Sequence, residues 1–145
     1  MKLDLPKEFT RVYKKSEVIF EENSQGNEMY VISSGKVKIS TDKSGKEFEL
    51  AILGSGEFFG EMSLVDSEPR VAKATAAEDN TALIILDKAK FLHMVSQQPD
   101  FALTIINTLC HRIREIYKLY SDENPKKANY DYQKLITLFA GRRAL

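Results

Sequence analysis

Gly56-Glu57-Phe58-Phe59-Gly60-Glu61-Met62-Ser63-Leu64, followed shortly by Pro69-Arg70-Val71-Ala72, decides how the rest of this sequence is read. Gly60 removes a side chain where the backbone must approach another group closely or take an unusual φ. Glu61 follows directly, and Met62-Ser63-Leu64 suits a short helical turn. Free N–H groups at the start of such a turn favour an anion. Nine positions after Glu61 stands Arg70, whose planar guanidinium matches a phosphate. Small or apolar residues follow it: Val71, Ala72, Ala74, Ala76 and Ala77. A strand launched by an arginine is odd for a plain core and fits the floor of a ligand pocket. Beside this stands a plainer reading, in which Glu61 and Arg70 form an internal ion pair that caps a turn. For Gly54 and Gly56 a turn role suffices.

On the N-terminal side of this stretch the chain alternates short strands with turns. Val18–Phe20, Met29–Ser33, Val37–Ser40 and Phe48–Leu53, with Ala82–Leu86 on the far side, are rich in β-branched and aromatic residues. Between them lie Asn23-Ser24-Gln25-Gly26, Ser34-Gly35, Lys43-Ser44-Gly45 and Gly54-Ser55-Gly56, all turn signals. Strands at this spacing predict a sandwich, barrel or jelly roll. Alternation in Lys36-Val37-Lys38-Ile39-Ser40 and in Phe48-Glu49-Leu50-Ala51-Ile52 predicts one face inward and one in water.

After Leu86 the pattern becomes helical. Asp87 is a good N-cap for a helix through Phe91, Leu92 and Val95, ending near Gln97. Pro99 suits a first helical position, with Asp100 beside the positive end of a second helix. That helix is predicted to run to about Ser121. Ala102, Ile106, Leu109, Ile113, Ile116 and Tyr120 form a heptad seam along it. Packing on the chain's own β-domain and a two-helix homodimer contact over 99–121 are equally open. Asp122 to Lys127 breaks the pattern, and a last amphipathic piece carries Tyr132, Leu135, Ile136, Leu138 and Phe139.

Bulk properties exclude several classes. With 145 residues, 43% hydrophobic and 29% charged, the chain suits one soluble domain. Its 21 basic residues balance 21 acidic ones, so nothing in the charge demands a nucleic acid or an anionic membrane. The lone cysteine, Cys110, has no internal disulfide partner and reads as a buried thiol on the long helix. A cytoplasmic location is expected, since the N-terminus lacks the apolar run of a signal peptide. The only histidines, His93 and His111, fall in predicted helices. They read as surface or packing residues, so no metal site, cofactor or catalytic residue is expected.

The residues of the opening stretch also carry a resemblance. Phe59-Gly60-Glu61-Met62-Ser63-Leu64 with Pro69-Arg70-Val71-Ala72 resembles the phosphate-binding cassette of cyclic-nucleotide-binding domains, of the catabolite activator and protein kinase A regulatory-subunit type. Met29 to Val37 is similar to the family's second glycine-turn hairpin, and Leu53 to Glu57 to its lead-in to the cassette. The match covers roughly residues 9 to 120. It implies a mainly β fold with C-terminal helices: a β-roll, or jelly roll, flanked by helices. Residues 1–122 would form that domain, and 123–145 a C-terminal helical extension.

Carried over residue by residue, the resemblance assigns Glu61 to the ribose 2′-hydroxyl and Arg70 to the exocyclic phosphate oxygens. Backbone N–H groups of Gly60, Met62 and Ser63 complete the cradle, and Val71 and Ala72 complete the ligand-binding set. The sequence departs from the family where Val71 and Lys73 stand in place of a hydroxyl residue. The departure leans the ligand toward cAMP rather than cGMP. Lys73 either adds charge near the phosphate or faces solvent. Ile113 and Tyr117 are candidates to cover the base.

The expected function is a non-enzymatic cyclic-nucleotide sensor that acts on an effector protein through its C-terminal helices. Transcription factors of this type continue into a DNA-reading head. Only about two dozen residues follow Ser121, so no direct DNA binding is expected. The alternative is a degenerate module of the same fold that binds no nucleotide and serves as a scaffold. An enzyme would need converging ligands or a nucleophile–base pair, and neither is legible.

Overall fold

A computed structural model describes residues 6–123; the expected extension over 123–145 lies, past Glu123, outside the described residues. By compactness the chain divides after Gln97, inside the 1–122 span expected from the sequence. The two units are taken separately.

The first unit opens with a single 3-10 turn at Lys7–Phe9. Five strands follow: β1 (Thr10–Tyr13), β2 (Val18–Phe20), β3 (Glu28–Ser34), β4 (Val37–Lys43) and β5 (Lys46–Leu53). Then come β6 (Phe58–Phe59), α1 (Glu61–Asp66), β7 (Lys73–Ala76), β8 (Thr81–Asp87) and α2 (Lys88–Gln97). The strands form two antiparallel four-stranded sheets, ordered β1-β8-β3-β6 and β2-β7-β4-β5. The chain is mainly β, with helices after the strands, as the sequence predicts.

The core lies between the two sheets. Tyr13, Tyr30, Ile32, Phe59 and Leu83 from the first meet Val37, Ala74 and Ala76 from the second, with Phe20 and Ile39 packed at the margin. The alanines of β7 belong here because large aromatic rings already fill the space opposite. The first sheet is buried on its other face too, through Met29, Val31, Phe58, Ile84 and Leu86. There α1 packs against β3 and α2 against β8. Burial on both faces explains why β3 and β8 read as unbroken apolar runs rather than alternating ones.

Two strands escape sequence reading for physical reasons. β6 is two residues long. β1 lies at a sheet edge and leaves Val12 58% exposed, so it carries no buried alternation. β5 corrects an expectation: Phe48, Leu50 and Ile52 do not turn inward but are exposed. The pairing shifts between Ile39 and Ser40, with Ile39 opposite Ala51 and Ser40 opposite Glu49, which leaves Leu50 as the extra residue of a bulge. Along β4, β7 pairs only with Val37–Ser40, so among the described residues the outer half of the β4–β5 hairpin has no strand beside it on the β4 side. Alternation in β4 also fails at Ser40. It shares a face with Lys38 and Lys73, away from the core, yet is fully buried.

The turns follow their sequence signals. Ser44 (φ 57°) and Gly45 (φ 78°) form a two-residue hairpin loop with both φ values positive, which matches the twist of the flanking strands. Asp87 caps α2 as predicted, its Oδ1 accepting from the Lys90 N–H at 2.9 Å.

The second unit holds α3 (Pro99–Glu123). It starts at the predicted proline. Phe101 and Ile105 are buried, whereas Leu103, Ile106, Ile113 and Ile116 are all at least half exposed. Of the predicted seam, Ala102 and Leu109 are half-buried. Cys110 is exposed, not the buried thiol expected from the sequence, because it shares the open side of the helix with Ile106 and Ile113.

Two glycines separate backbone strain from steric demand. At Gly35 (φ +83°) a Cβ would lie 2.8 Å from the backbone of fully buried Thr81, whereas at Gly45 it would meet nothing within 4 Å. Gly35→Ala is expected to destabilise by on the order of 3 kcal/mol, strain plus overpacking. Gly45→Ala should cost only about 1 kcal/mol. Urea unfolding checks this, and equal losses would contradict the steric account of Gly35.

Candidate functional site

Gly60 is the N-cap of α1 and adopts φ 79°, ψ 2°. A Cβ there would also lie 2.9 Å from Arg70 Nη1 and 3.1 Å from the Glu28 carbonyl oxygen. Both reasons for glycine given by the sequence therefore hold: a left-handed backbone and a close approach. Glu61 opens α1 and is only 5% exposed. Ser63, two positions on, is buried, and Met62 between them is exposed. α1 ends at Ser67, whose left-handed backbone lets its N–H donate to the Ser63 carbonyl at 3.1 Å.

Arg70 is 3% exposed and is held from several sides. Its backbone is tied to the β2–β3 loop: its N–H donates to the Ser24 carbonyl at 2.9 Å, and its carbonyl accepts from the Asn23 N–H at 2.8 Å. Nη1 donates to the Glu28 carbonyl at 2.8 Å and to the Gly60 carbonyl at 3.0 Å. The guanidinium carbon lies 4.2 Å from the Phe20 ring centroid and 5.8 Å from that of Tyr30. Aromatic faces attract a cation at these distances. Phe20, Tyr30 and Phe59 contact one another, the last two stacked at 5.1 Å. Nε is buried and has no hydrogen-bond partner. An orphaned charged donor is what an incoming anion would complete.

The structure thus brings Gly60 and Arg70 into direct contact, with the Glu61 charge close enough to act on Arg70. The remaining predicted residues are placed differently. Ala72 is buried, but Val71 is 64% exposed. The strand expected from Val71 begins at Lys73. Lys73 lies opposite Ser40 on the sheet face away from the core, and its ammonium pairs with Glu21 at 3.7 Å. Ile113 is half exposed and Tyr117 half-buried on α3, within the second unit.

Sequence reading missed Phe20, Glu28 and Tyr30 as parts of this site. Their contacts with Arg70 span 40 or more positions, and Glu28 contributes a main-chain oxygen that no residue type announces.

Burial lowers the Arg70 pKa, while Tyr30 and the Glu28 and Glu61 carboxylates act to raise it. The guanidinium remains a cation at any physiological pH. Tyr30 donates to Glu28 Oε2 at 3.0 Å, and burial followed by the Glu28 charge pushes its phenol far above the ordinary value. The arrangement offers a fixed cation with a spare donor and a buried carboxylate. It suits recognition of an anion that also carries a hydroxyl. Among the described residues no group of three or more His, Cys, Asp or Glu is placed to hold a metal ion. Among them no helix is long and apolar enough to cross a membrane.

Proteins of similar sequence and fold are known. A family model described as "Cyclic nucleotide-binding domain" matches residues 10–98. The chain is 40% identical over 106 residues to the cyclic AMP receptor protein of Thermus thermophilus, covering 72% of this chain and 49% of that protein. It is 30% identical over 103 residues to a CRP-like cAMP-activated global transcriptional regulator of Mycobacterium tuberculosis, covering 70% and 46% respectively. The crystal structure of the Thermus thermophilus catabolite activator protein superposes with a TM-score of 0.71 at 38% identity, over 78% of this chain and 53% of that one. The chain spans about half the length of the curated relatives it matches.

The phenols give the pH response of this region a sign. Burial raises the pKa of Tyr13 and Tyr30 above the ordinary 10.0. Above pH 10 the unfolded chain sheds phenolic protons that the folded chain still holds. Stability from these groups is therefore full below pH 10 and falls as pH rises toward their folded values. Tyr30→Phe should flatten this alkaline decline, while costing about 1 kcal/mol at neutral pH through the lost bond to Glu28. Urea midpoints across alkaline pH test it, and an unchanged decline in the variant would refute the assignment to Tyr30.

Proposed function

The chain belongs to the cyclic nucleotide-binding domain family, and we propose that it is a non-enzymatic sensor of a cyclic nucleotide, cAMP in preference to cGMP. The observation that carries this reading is the buried Arg70 guanidinium, braced by two carbonyls and left with an unpartnered Nε. Arg70 pairs with the exocyclic phosphate oxygens, and Glu61 accepts the ribose 2′-hydroxyl. A carboxylate has about four lone-pair positions, so this role is compatible with other contacts Glu61 makes. Backbone N–H groups of Gly60, Met62 and Ser63 complete the cradle, beside Ala72.

Two observations support cAMP. The two curated relatives above are named for it. Val71, where many family members carry a hydroxyl residue, is exposed and offers a guanine edge no hydrogen bond.

The Nη1 bond to the Gly60 carbonyl supplies a route for the signal. Any pull on the guanidinium is felt at the residue that caps α1. The response continues into the helices that follow the strands, and a conformational change there acts on an effector protein. Leu103, Ile106, Ile113 and Ile116 leave an apolar stripe open on α3, which supports a protein contact there, proposed as a second copy of this chain.

Calorimetry against cAMP, cGMP and the cyclic dinucleotides tests the proposal, with cAMP expected to bind most tightly. Ligand at about 100 times its dissociation constant should add about 2.7 kcal/mol of stability, a rise of a few degrees in Tm. Arg70→Ala should weaken binding by roughly 30-fold to several thousand-fold, from a loss of about 2–5 kcal/mol. Equal binding by parent and variant would remove Arg70 from the site. No thermal shift at millimolar cAMP or cGMP would favour a degenerate scaffold.

A further inference from the structure

We propose that Gly26 is a positioning residue of the nucleotide site: its missing side chain leaves the slot in which the Arg70 guanidinium lies against the Phe20 ring. The sequence marks Gly26 only as part of a turn. Yet it is not among the glycines with positive φ, which are Gly35, Gly45, Gly56 and Gly60. An alanine therefore suits its backbone, and turn chemistry does not demand glycine. The demand is steric. A Cβ built on Gly26 collides with Nε, Nη2 and Cζ of Arg70. The far end of a flexible side chain yields more readily than backbone, so the guanidinium would move and the loop would stay. Moving it forfeits its 4.2 Å seat on Phe20 and its bonds to the Glu28 and Gly60 carbonyls. The fork then no longer faces the position that a cyclic phosphate would occupy.

This inference rests on the proposed nucleotide site, and its test separates the two. In ligand-free protein, the Arg70 Nε–H resonance, assigned by its loss in Arg70→Ala, should exchange slowly with solvent. Gly26→Ala should shift that resonance and speed its exchange. cAMP affinity should fall about tenfold or more. In the Arg70→Ala background, Gly26→Ala should have no further effect on affinity. An unmoved Nε–H signal, or affinity losses that simply add, would overturn the proposal, because a general loosening of the turn adds independently. If the parent binds no cyclic nucleotide, the sensor reading falls and the Nε–H signature alone decides for or against Gly26. Should Gly26→Ala fail to fold, the double variant decides: recovery of folding supports the shared slot, and failure of both refutes it.

Discussion

A guanidinium taken out of water is the constraint around which the first unit is built. Burying an uncompensated charge costs several kcal/mol, so its surroundings must offset the lost hydration. Here the compensation comes mostly from neutral groups. Two main-chain carbonyls accept from Nη1, an aromatic face lies under the cation, and loop residues grip the arginine's own backbone. Carbonyls and rings stabilise the cation without cancelling it. That leaves the charge available to a ligand in a way that a tight carboxylate pair would not.

These compensating groups come from distant parts of the chain. The β2–β3 loop supplies Asn23, Ser24 and Gly26, β2 supplies Phe20, β3 supplies the Glu28 carbonyl and Tyr30, and the turn into α1 supplies Gly60. They converge only when both sheets are formed and paired in register. Tyr30, opposite Phe59 in the β3–β6 pair, is at once a core residue and part of the wall around the arginine. The site and the core are therefore one structure, and substitutions in either will register in both.

Much of this was readable from residue order. Turn glycines, β-branched runs, Asp87 and Pro99 marked strand and helix limits because each acts through its local backbone. Gly60, Glu61 and Arg70 were legible as a cluster because the first two are adjacent and the third has a chemistry few roles require. What stayed hidden depends on tertiary placement. The exposure of β5 follows from register: the bulge at Leu50 sets Ala51 and Leu53, opposite Ile39 and Val37, on the core face and Ile52 on the other, while Phe48 lies opposite Thr41, beyond the reach of β7. Residue type alone places Cys110 in the interior, yet the side of α3 it occupies is open. Phe20 reads as a plain core residue, and only coordinates set its ring beneath a cation.

The β4–β5 hairpin carries one more consequence. Beyond Ser40, β4 has no second strand beside it; Glu22 accepts from the Thr41 hydroxyl and the Asp42 N–H, and among the described residues the tip from Lys43 to Lys46 is bonded only within the ribbon. This end can fray by breaking its own rungs while the β4–β7 seam and the apolar interior stay intact. Along this stretch the chain is free to vary in length and composition at least cost to the rest. Divergence among close relatives should gather at that tip, while the loop that wraps the arginine holds its length.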